Sequence, residues 1–286
     1  DQALELSKQF FALPIEKKLE IQMVKSPHFR GYTKLKDEIT REKPDSREQL
    51  DYMPEYKAIP LDQIPKDQPW LRIQGPNQWP ESIPDLKPIL LELQRQKVAV
   101  AKVLLTAFAE SLGQSPDAFA HTYSTSPSVL CKAIHYPGTE QAEQGVGAHK
   151  DGGYLTLLLQ DEHSGLEVLK GDEWVPATPI KGTFIVNIGE LLEIASQGYL
   201  KATQHRVTTP NVGIDRYSLA FFLTSQLNAT VPLLELPAHL QPNNFAITKD
   251  PKNPLFTEIG KNFLKGRLRS HPDVAVAHYS DLPQLA

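Results

Sequence analysis

In the first half of the chain, apolar residues recur every three to four positions in two stretches, the spacing of a helix that packs on one face. This pattern predicts helices over residues 2–12 and 86–112, and a second short helix that begins at Pro14. Residues 24–84 are rich in proline and charged residues. We therefore expect long loops with short elements there, wrapped on a core rather than forming one.

From residue 128 onward, the apolar residues form short runs separated by Gly, Pro, Asp and Asn. Short runs without long helices between them predict strands of an antiparallel β architecture rather than an alternating α/β fold. The predicted strands are residues 129–136, 154–160, 166–169, 183–188, 201–207 and 216–223. Only residues 189–196 and 257–268 favour helices in this half.

These elements predict a mainly β protein with α-helices, organised as one compact unit. A helical and loop-rich region, residues 1–127, is expected to pack on a β core over residues 128–227. Residues 228–286 form a C-terminal extension with a helix. The first residues have the pattern of a helix already in progress, so we expect that the chain lacks its true beginning.

Composition narrows the classes of partner. The 286 residues carry a net charge of −4, so no basic surface favours nucleic acid. No apolar stretch reaches the length of a membrane span, and the first residues do not resemble a signal peptide. The single cysteine, Cys131, excludes an intrachain disulfide and suits a reducing cytosol. We expect a cytoplasmic monomer that binds a small molecule, and neither nucleic acid nor membrane.

One segment, "GAHKDGGYLTLLLQD" (residues 147–161), places a histidine and an aspartate at the start of an apolar run. Side chains alternate faces along a strand, so His149 and Asp151 project to one side and Lys150 to the other. Two donors so placed can chelate one metal ion. The spacing also occurs often by chance, so this pair alone is weak evidence.

A third metal ligand has to come from another strand, and His205 in "ATQHRVTTP" is the best candidate. Two imidazoles and one carboxylate on one face of an ion leave three positions open, as in the facial triad of non-haem Fe(II) oxygenases. The same donors also suit zinc with a bound water. The remaining histidines considered are expected to be surface or structural residues: His28, His121, His163, His239, His271 and His278.

A further polar pair lies in the apolar run "RYSLAFFL". Arg216 and Ser218 are two positions apart on a predicted strand and therefore share a face. A buried guanidinium needs an anionic partner. A dicarboxylate that chelates the metal at one end could pair with Arg216 and Ser218 at the other. Alternatively, Arg216 pairs with an aspartate or glutamate of the core.

The order of these motifs, including "GLEVLKGDEWVPATPIKGTFIVNIGELLEIASQGYLKATQHRV", resembles the Fe(II)/2-oxoglutarate-dependent oxygenases of the isopenicillin N synthase-like family, most of all its bacterial members. The resemblance is dense over residues 128–227 and weaker at "QFFALPIEKKLEI", "FRGYTKLKDEITREKPD" and "GRLRSHPDV". It implies a double-stranded β-helix, or jelly roll, with helices packed outside it. Members of the family normally open with a strand, a helix and another strand, which this chain does not show.

The resemblance also implies roles for the polar pairs. His149, Asp151 and His205 become ligands of Fe(II), and Arg216 and Ser218 bind the far carboxylate of 2-oxoglutarate. The implied activity is a dioxygenase that uses 2-oxoglutarate and O₂, releases succinate and CO₂, and oxidises an unidentified small molecule. The position between the first two ligands is often threonine in plant members and is lysine here, which should not affect the chemistry because its side chain faces away.

His135 in "KAIHYPG" is a further candidate for the co-substrate pocket. It would point into the barrel if Lys132 and Ile134 point out, and in relatives this strand contributes a residue near the co-substrate. The alternative is a core histidine bonded to a backbone carbonyl.

Other functions fit parts of the pattern. An oxidase like isopenicillin N synthase itself would use no 2-oxoglutarate, and an ethylene-forming type is a further variant within the family. A zinc hydrolase would need a nearby glutamate as general base, and "HKDGG" offers none in sequence. A non-catalytic binding barrel is the remaining alternative.

Overall fold

The computed structural model describes residues 1–124, 128–241, 247 and 253–282. Six α-helices lie in this part of the chain: α1 Gln2–Phe11, α2 Ile15–Leu19, α3 Leu86–Ser111, α4 Glu190–Ala195, α5 Ile259–Ser270 and α6 Pro272–His278. The sequence predicted the first five, and α6 was missed. None of these helices is long and apolar enough to cross a membrane.

The same residues contain twelve β-strands. They are β1 Gly31–Thr33, β2 Ile39–Thr40, β3 Lys43–Pro44, β4 Glu48–Tyr52, β5 Ser128–Tyr136, β6 Gln144–His149, β7 Leu155–Gln160, β8 Leu166–Lys170, β9 Glu173–Pro176, β10 Ile185–Ile188, β11 His205–Thr208 and β12 Arg216–Ser225. The six strands predicted after residue 128 are confirmed, with shifted ends, and β6 and β9 are additional.

Two antiparallel sheets form the body of the fold. The larger has the order β1-β4-β5-β12-β7-β10, and the smaller has the order β6-β11-β8-β9. Side chains of both sheets meet in one apolar cluster, which consists of Ile134, Tyr136, Val146, Leu166, Val207 and Ala220. The sheets therefore pack face to face, and the predicted class, a mainly β jelly roll with helices outside it, is confirmed.

Strand alternation decides which residues face the barrel interior. On β12, Leu219, Phe221 and Leu223 point outward into the main hydrophobic core, where α1 and α3 cover the larger sheet. Arg216 and Ser218 have the opposite parity and point into the barrel. Each fully buried large apolar side chain contributes about 1.5–3 kcal/mol. The outer face therefore holds the helices, while the inner face of β12 combines Arg216 and Ser218 with the apolar Ala220.

Residues 24–84 do more than wrap the core. β1 and β4 join the larger sheet, and β4 pairs with β5 from Glu48↔His135 to Tyr52↔Cys131. This corrects the prediction of loops packed on a finished core. The strand was missed because its inner face carries Gln49 and Asp51, so its sequence lacks the alternation of apolar and polar residues by which strands are recognised.

Lys97 of α3 is an unusual buried cation on the outside of the larger sheet. Its Nζ donates to the carbonyl oxygens of Leu219 at 2.9 Å and Leu157 at 3.4 Å. Burial lowers the pKa of this amine from 10.5 to about 8. Because the unfolded chain holds the proton more tightly, Lys97 reduces stability below about pH 8, and this cost disappears as the pH rises toward 10.5.

We expect the Lys97→Met variant to have a free energy of unfolding about 1 kcal/mol higher than the parent at pH 7, because methionine fills the site without a buried charge. The gain should shrink at pH 10. Urea denaturation at both pH values measures it, and Lys102→Met on the same helix is the control. A less stable Lys97→Met protein at pH 7 would show that the two carbonyl contacts outweigh the desolvation cost.

Candidate active site

Strand register brings the three predicted metal ligands together. His149 ends β6, His205 begins β11, and the two residues are direct partners in the antiparallel ladder. Their ring centroids lie 4.3 Å apart. Asp151 Oδ1 is 3.6 Å from His149 Nε2 and 3.5 Å from His205 Nε2. One donor atom from each residue lies within 4.8 Å of the other two.

The segment after His149 leaves the strand earlier than predicted. β6 ends at His149, so Asp151 lies in a turn and not on a continued strand. The turn packs tightly, since a β-carbon at Gly153 would lie 2.6 Å from the carbonyl oxygen of Leu223. Lys150 nevertheless turns away from the donor atoms, and its Nζ pairs with Glu193 at 3.0 Å.

Neighbouring groups fix the orientation of each donor. His149 Nδ1 lies 2.7 Å from the carbonyl oxygen of Gly147, and His205 Nδ1 lies 3.1 Å from that of Thr203. A carbonyl only accepts, so both Nδ1 atoms carry the proton and both Nε2 atoms are left as ligands.

The aspartate is held in the same way. Asp151 Oδ2 accepts hydrogen bonds from Thr156 Oγ1 at 2.6 Å and Asn187 Nδ2 at 2.7 Å, which leaves Oδ1 toward the two imidazoles. Burial raises the pKa of Asp151, but the neighbouring His205 and His149 lower it by a larger amount. The pKa therefore lies well below its usual value. The carboxylate is therefore ionised, as a metal ligand has to be.

The donor set fits a divalent metal ion with open coordination positions. Two imidazole nitrogens and one carboxylate oxygen converge from one side, and a cavity of about 810 Å³ opens beside His149 and Asp151. This is the ligand set of non-haem Fe(II) oxygenases. A second cluster, Asp161, Glu162 and His163, is less suited, because Asp161 already accepts the backbone N–H groups of His163 and Tyr217.

Arg216 is fully buried on the inner face of β12. Its Nε donates to the carbonyl oxygen of His163 at 3.2 Å, its Nη2 donates to Gln160 Oε1 at 2.7 Å, and the guanidinium lies over the ring of Tyr136 at 4.9 Å. Within the described residues it forms no ion pair with a carboxylate, and Nη1 has no hydrogen-bond partner. The alternative, that Arg216 pairs with an aspartate or glutamate of the core, is therefore wrong for the described residues.

Ser218 offers a second buried donor on the same face. Its side chain is buried, and its Oγ also has no hydrogen-bond partner among the described residues. Leaving a buried polar group unpaired costs about 1–3 kcal/mol. Arg216 Nη1 and Ser218 Oγ together therefore provide hydrogen-bond donors of the kind that a ligand carboxylate would satisfy.

His135 does not face the co-substrate pocket, and this corrects the prediction. Its Nδ1 lies 2.7 Å from Glu48 Oε1, its Nε2 lies 3.0 Å from Asp215 Oδ1, and its ring stacks on Tyr217 at 4.7 Å. These contacts lie on the outer face of the sheet, beneath Phe11 of α1. The parity was reversed because Lys132 was expected to point outward, and it points inward.

The sequence reasoning missed the residues that hold the predicted ones. Thr156 and Asn187 bind Asp151, and Gln160 binds Arg216. Each of the three is a polar residue within or at the end of an otherwise apolar strand. That signal could have identified them, because a buried polar side chain needs a partner on its own face.

Substitution of Lys150 tests whether a side chain that points away from the three donor atoms affects metal binding. We expect Lys150→Ala to bind metal within a few-fold of the parent, because Glu193 keeps Lys201 and the backbone N–H of Ala202 as partners. Metal titration followed by elemental analysis measures this. Loss of metal from this variant would mean that the turn after β6 depends on the Lys150–Glu193 pair.

Fold and site together define a class: a jelly-roll protein with two histidines and one aspartate at the mouth of the barrel is built as a non-haem iron oxygenase. The family models agree. Residues 125–225 match the 2OG-Fe(II) oxygenase superfamily, and residues 1–82 match the N-terminal region described as "non-haem dioxygenase in morphine synthesis". The chain belongs to the 2OG-Fe(II) oxygenase superfamily, and it is a 2-oxoglutarate-dependent dioxygenase whose cofactors are Fe(II) and 2-oxoglutarate.

Individual relatives support the same assignment. Homoarginine-6-hydroxylase 2-ODD-C23.1 of Arabidopsis thaliana is 34% identical over 240 residues, covering 81% of this chain and 70% of its own. A full-length Neurospora crassa protein, whose crystal structure contains alpha-KG (2-oxoglutarate) and thymine, is 26% identical with a TM-score of 0.67, covering 85% and 78%. A putative 2OG-Fe(II) oxygenase from Caulobacter crescentus is 28% identical with a TM-score of 0.72, covering 94% and 85%.

Proposed function

We propose that His149 Nε2, Asp151 Oδ1 and His205 Nε2 hold the ferrous ion, and that Arg216 and Ser218 bind the far carboxylate of 2-oxoglutarate. This proposal rests on the convergence of three donor atoms, one from each side chain. The other polar atom of each side chain is already hydrogen-bonded to a neighbouring group. When bound, iron with 2-oxoglutarate and O₂ supplies the oxidising chemistry, with release of succinate and CO₂.

The chain's own residues orient the reactants. Thr156 and Asn187 keep the Asp151 carboxylate in one rotamer, so its Oδ1 cannot turn away from the metal position. Gln160 and the His163 carbonyl hold two sides of the Arg216 guanidinium and leave Nη1 for the co-substrate. The preorganised donors spare 2-oxoglutarate the cost of ordering them.

The substrate to be oxidised is a small molecule that enters the cavity beside the triad. We further propose residues 128–227 as the catalytic core, with residues 1–127 and 228–286 packed around it as one unit, and a cytoplasmic monomer as the working form. Assignment to a bacterial subgroup is not supported, because the similar proteins of named function are from plants and fungi.

Anaerobic titration of the Fe(II) protein with 2-oxoglutarate tests the proposal. The expected result is one iron per chain and a visible metal-to-ligand charge-transfer band that saturates with the co-substrate. A protein that binds iron but shows no band and no 2-oxoglutarate binding at millimolar concentration would instead be an oxidase that uses no 2-oxoglutarate. In that case, Arg216 and Ser218 would hold a substrate carboxylate.

A further inference from the structure

Four charged side chains, from the segments before β2 and β4, from β5 and from α5, lie where the interior of a barrel is usually apolar. Glu38, Arg47, Lys132 and Arg267, which we call the ionic wall, line the same cavity as His149 and Asp151. All four side chains belong to the buried set, with at most 8% of their surface exposed. The wall is thus a dry, charged surface on the cavity that His149 and Asp151 also line.

The ionic wall is tightly connected. Glu38 lies 2.7 Å from Arg47 Nη2 and 3.1 Å from Lys132 Nζ. Lys132 Nζ and Arg267 Nη1 share Asp51 Oδ2, at 3.0 Å and 2.9 Å. Burial alone would raise the pKa of Glu38, but Arg47 and Lys132 hold it well below its usual value. The charges are therefore present in the folded protein.

Positive and negative side chains are unevenly distributed over the ionic wall. Asp45 and Asp51, the other carboxylates of the network, are fully buried and do not line the cavity. The surface of the ionic wall toward the cavity therefore consists of three cations around the single carboxylate of Glu38. A ligand that matches it has to offer negative charge to the cations and positive charge to Glu38.

Stability alone does not explain such a wall. Replacing a buried ion network with apolar residues of similar volume is often neutral or stabilising. Several polar atoms of the network also lack hydrogen-bond partners among the described residues, including Arg47 Nε, Arg267 Nε and both amide atoms of the neighbouring Gln49. These atoms are enclosed by protein, so the case for binding rests on the charged side chains that do line the cavity beside His149 and Asp151.

We infer that the ionic wall binds the charged head group of the substrate to be oxidised, and that this substrate is a small zwitterion with a carboxylate and an ammonium group, as in a free amino acid. The carboxylate pairs with Lys132, Arg47 and Arg267, the ammonium group pairs with Glu38, and the rest of the molecule extends in the same cavity toward the triad. The inference rests on the proposed function, because it assigns the second substrate of that site.

Other substrate charges fit less well. An apolar substrate would cover the wall without compensating its dry polar groups. A purely anionic substrate would face Glu38, and a purely cationic substrate would face three cations. A zwitterion satisfies both signs at once.

Calorimetry on the anaerobic Fe(II)–2-oxoglutarate protein tests the inference. The probes are the proteinogenic L-amino acids, each compared with its C-terminal amide and its N-acetyl derivative. We expect at least one amino acid to bind, and its amide and N-acetyl derivative to bind at least about 10-fold more weakly, since each loses one charged contact. Failure of every amino acid to bind, or equal binding of acid and amide, overturns the inference.

Two variants assign the contacts. Lys132→Met should weaken binding of the amino acid about 30-fold or more and reduce the preference for the acid over the amide. Glu38→Gln should reduce the preference for the free amine over the N-acetyl derivative. Should Lys132→Met fail to fold, Glu38→Gln alone decides. Variants that bind the amino acid as tightly as the parent would show that the head group lies elsewhere.

Lys18→Met is the matched control. Lys18 is also buried and also pairs with a carboxylate of β4, Glu48 at 2.7 Å, but on the outer face of the sheet. This variant should bind the amino acid like the parent. The 2-oxoglutarate band, recorded on the same samples, reports the proposed function separately: its absence in the parent contradicts the co-substrate assignment, whereas a normal band without amino-acid binding contradicts only the ionic wall.

Discussion

Replacing His205 with alanine is expected to reduce the affinity for Fe(II) by more than about 100-fold, and His149→Ala and Asp151→Ala should do the same. Groups that only orient a metal ligand already contribute about 10- to 100-fold in affinity, so loss of a ligand itself should cost more. In this site the three donor atoms converge within 4.8 Å, and each side chain's other polar atom is already hydrogen-bonded. No second atom of the same residues is therefore available to substitute.

Iron content after anaerobic reconstitution and gel filtration measures the effect. His163→Ala is the matched control, since His163 is also a histidine two positions from an aspartate and belongs to the second possible cluster with Asp161. It should retain iron like the parent. Full iron affinity in the His205→Ala protein, or loss of iron in His163→Ala alone, would assign the metal to different residues.

Only part of the proposed metal site could be predicted from strand geometry. The two-residue spacing of His149 and Asp151 brings both toward one point even though the strand ends at His149. The pairing of His205 with His149 across β11 and β6 could not be read from spacing, since register depends on which strands meet. The resemblance to a family supplied that step.

The parity of β5 shows where sequence reasoning fails. His135 was placed inside the barrel on the condition that Lys132 and Ile134 point outward. In the structure, Lys132 points inward to Asp51 and Glu38, so His135 lies outside, between Glu48 and Asp215. A charged residue is expected to be exposed only when no oppositely charged partner is buried beside it. A partner of Lys132, Asp51, lies on β4, the strand that the pattern also missed.

The two errors therefore have one cause. Asp51 of β4 and Lys132 of β5 pair with each other on the inner side of the sheet, so this part of the buried face is ionic rather than apolar. Hydrophobic patterning assumes that the buried face is the apolar one, so it fails along the walls of a polar site. Along β12, by contrast, the outer face is apolar and packed under helices, and the polar pair on its inner face was identified with the correct parity.

In the proposed site, Arg216 is the residue at which co-substrate binding can be separated from metal binding. Arg216→Ala or Arg216→Gln should weaken 2-oxoglutarate binding while leaving Fe(II) in place, because the contacts of Arg216 are with Gln160, the His163 carbonyl and Tyr136, and not with the metal ligands. Truncating one partner of a buried, charge-assisted pair costs about 2–5 kcal/mol, roughly 30-fold to several thousand-fold in affinity.

Related substitutions rank the contributions. Arg216→Lys should recover only part of the affinity, since an ammonium group cannot form the two-pronged contact with a carboxylate. Ser218→Ala should cost less, about 0.5–3 kcal/mol, because it removes one hydrogen bond to a charged acceptor. Both effects are read from the 2-oxoglutarate concentration that half-saturates the charge-transfer band, with iron content measured on the same samples.

The expected order of affinity for 2-oxoglutarate is parent, then Ser218→Ala, then Arg216→Lys, then Arg216→Ala. It follows from the unpartnered Nη1 and Oγ atoms on one face of β12, which a carboxylate would satisfy together. Should Arg216→Ala bind 2-oxoglutarate as tightly as the parent, the guanidinium would be a structural group held by Gln160 and His163, and the far carboxylate would be bound elsewhere. Should the Arg216→Ala variant also lose iron, the co-substrate site and the metal site would be coupled through the barrel interior rather than independent.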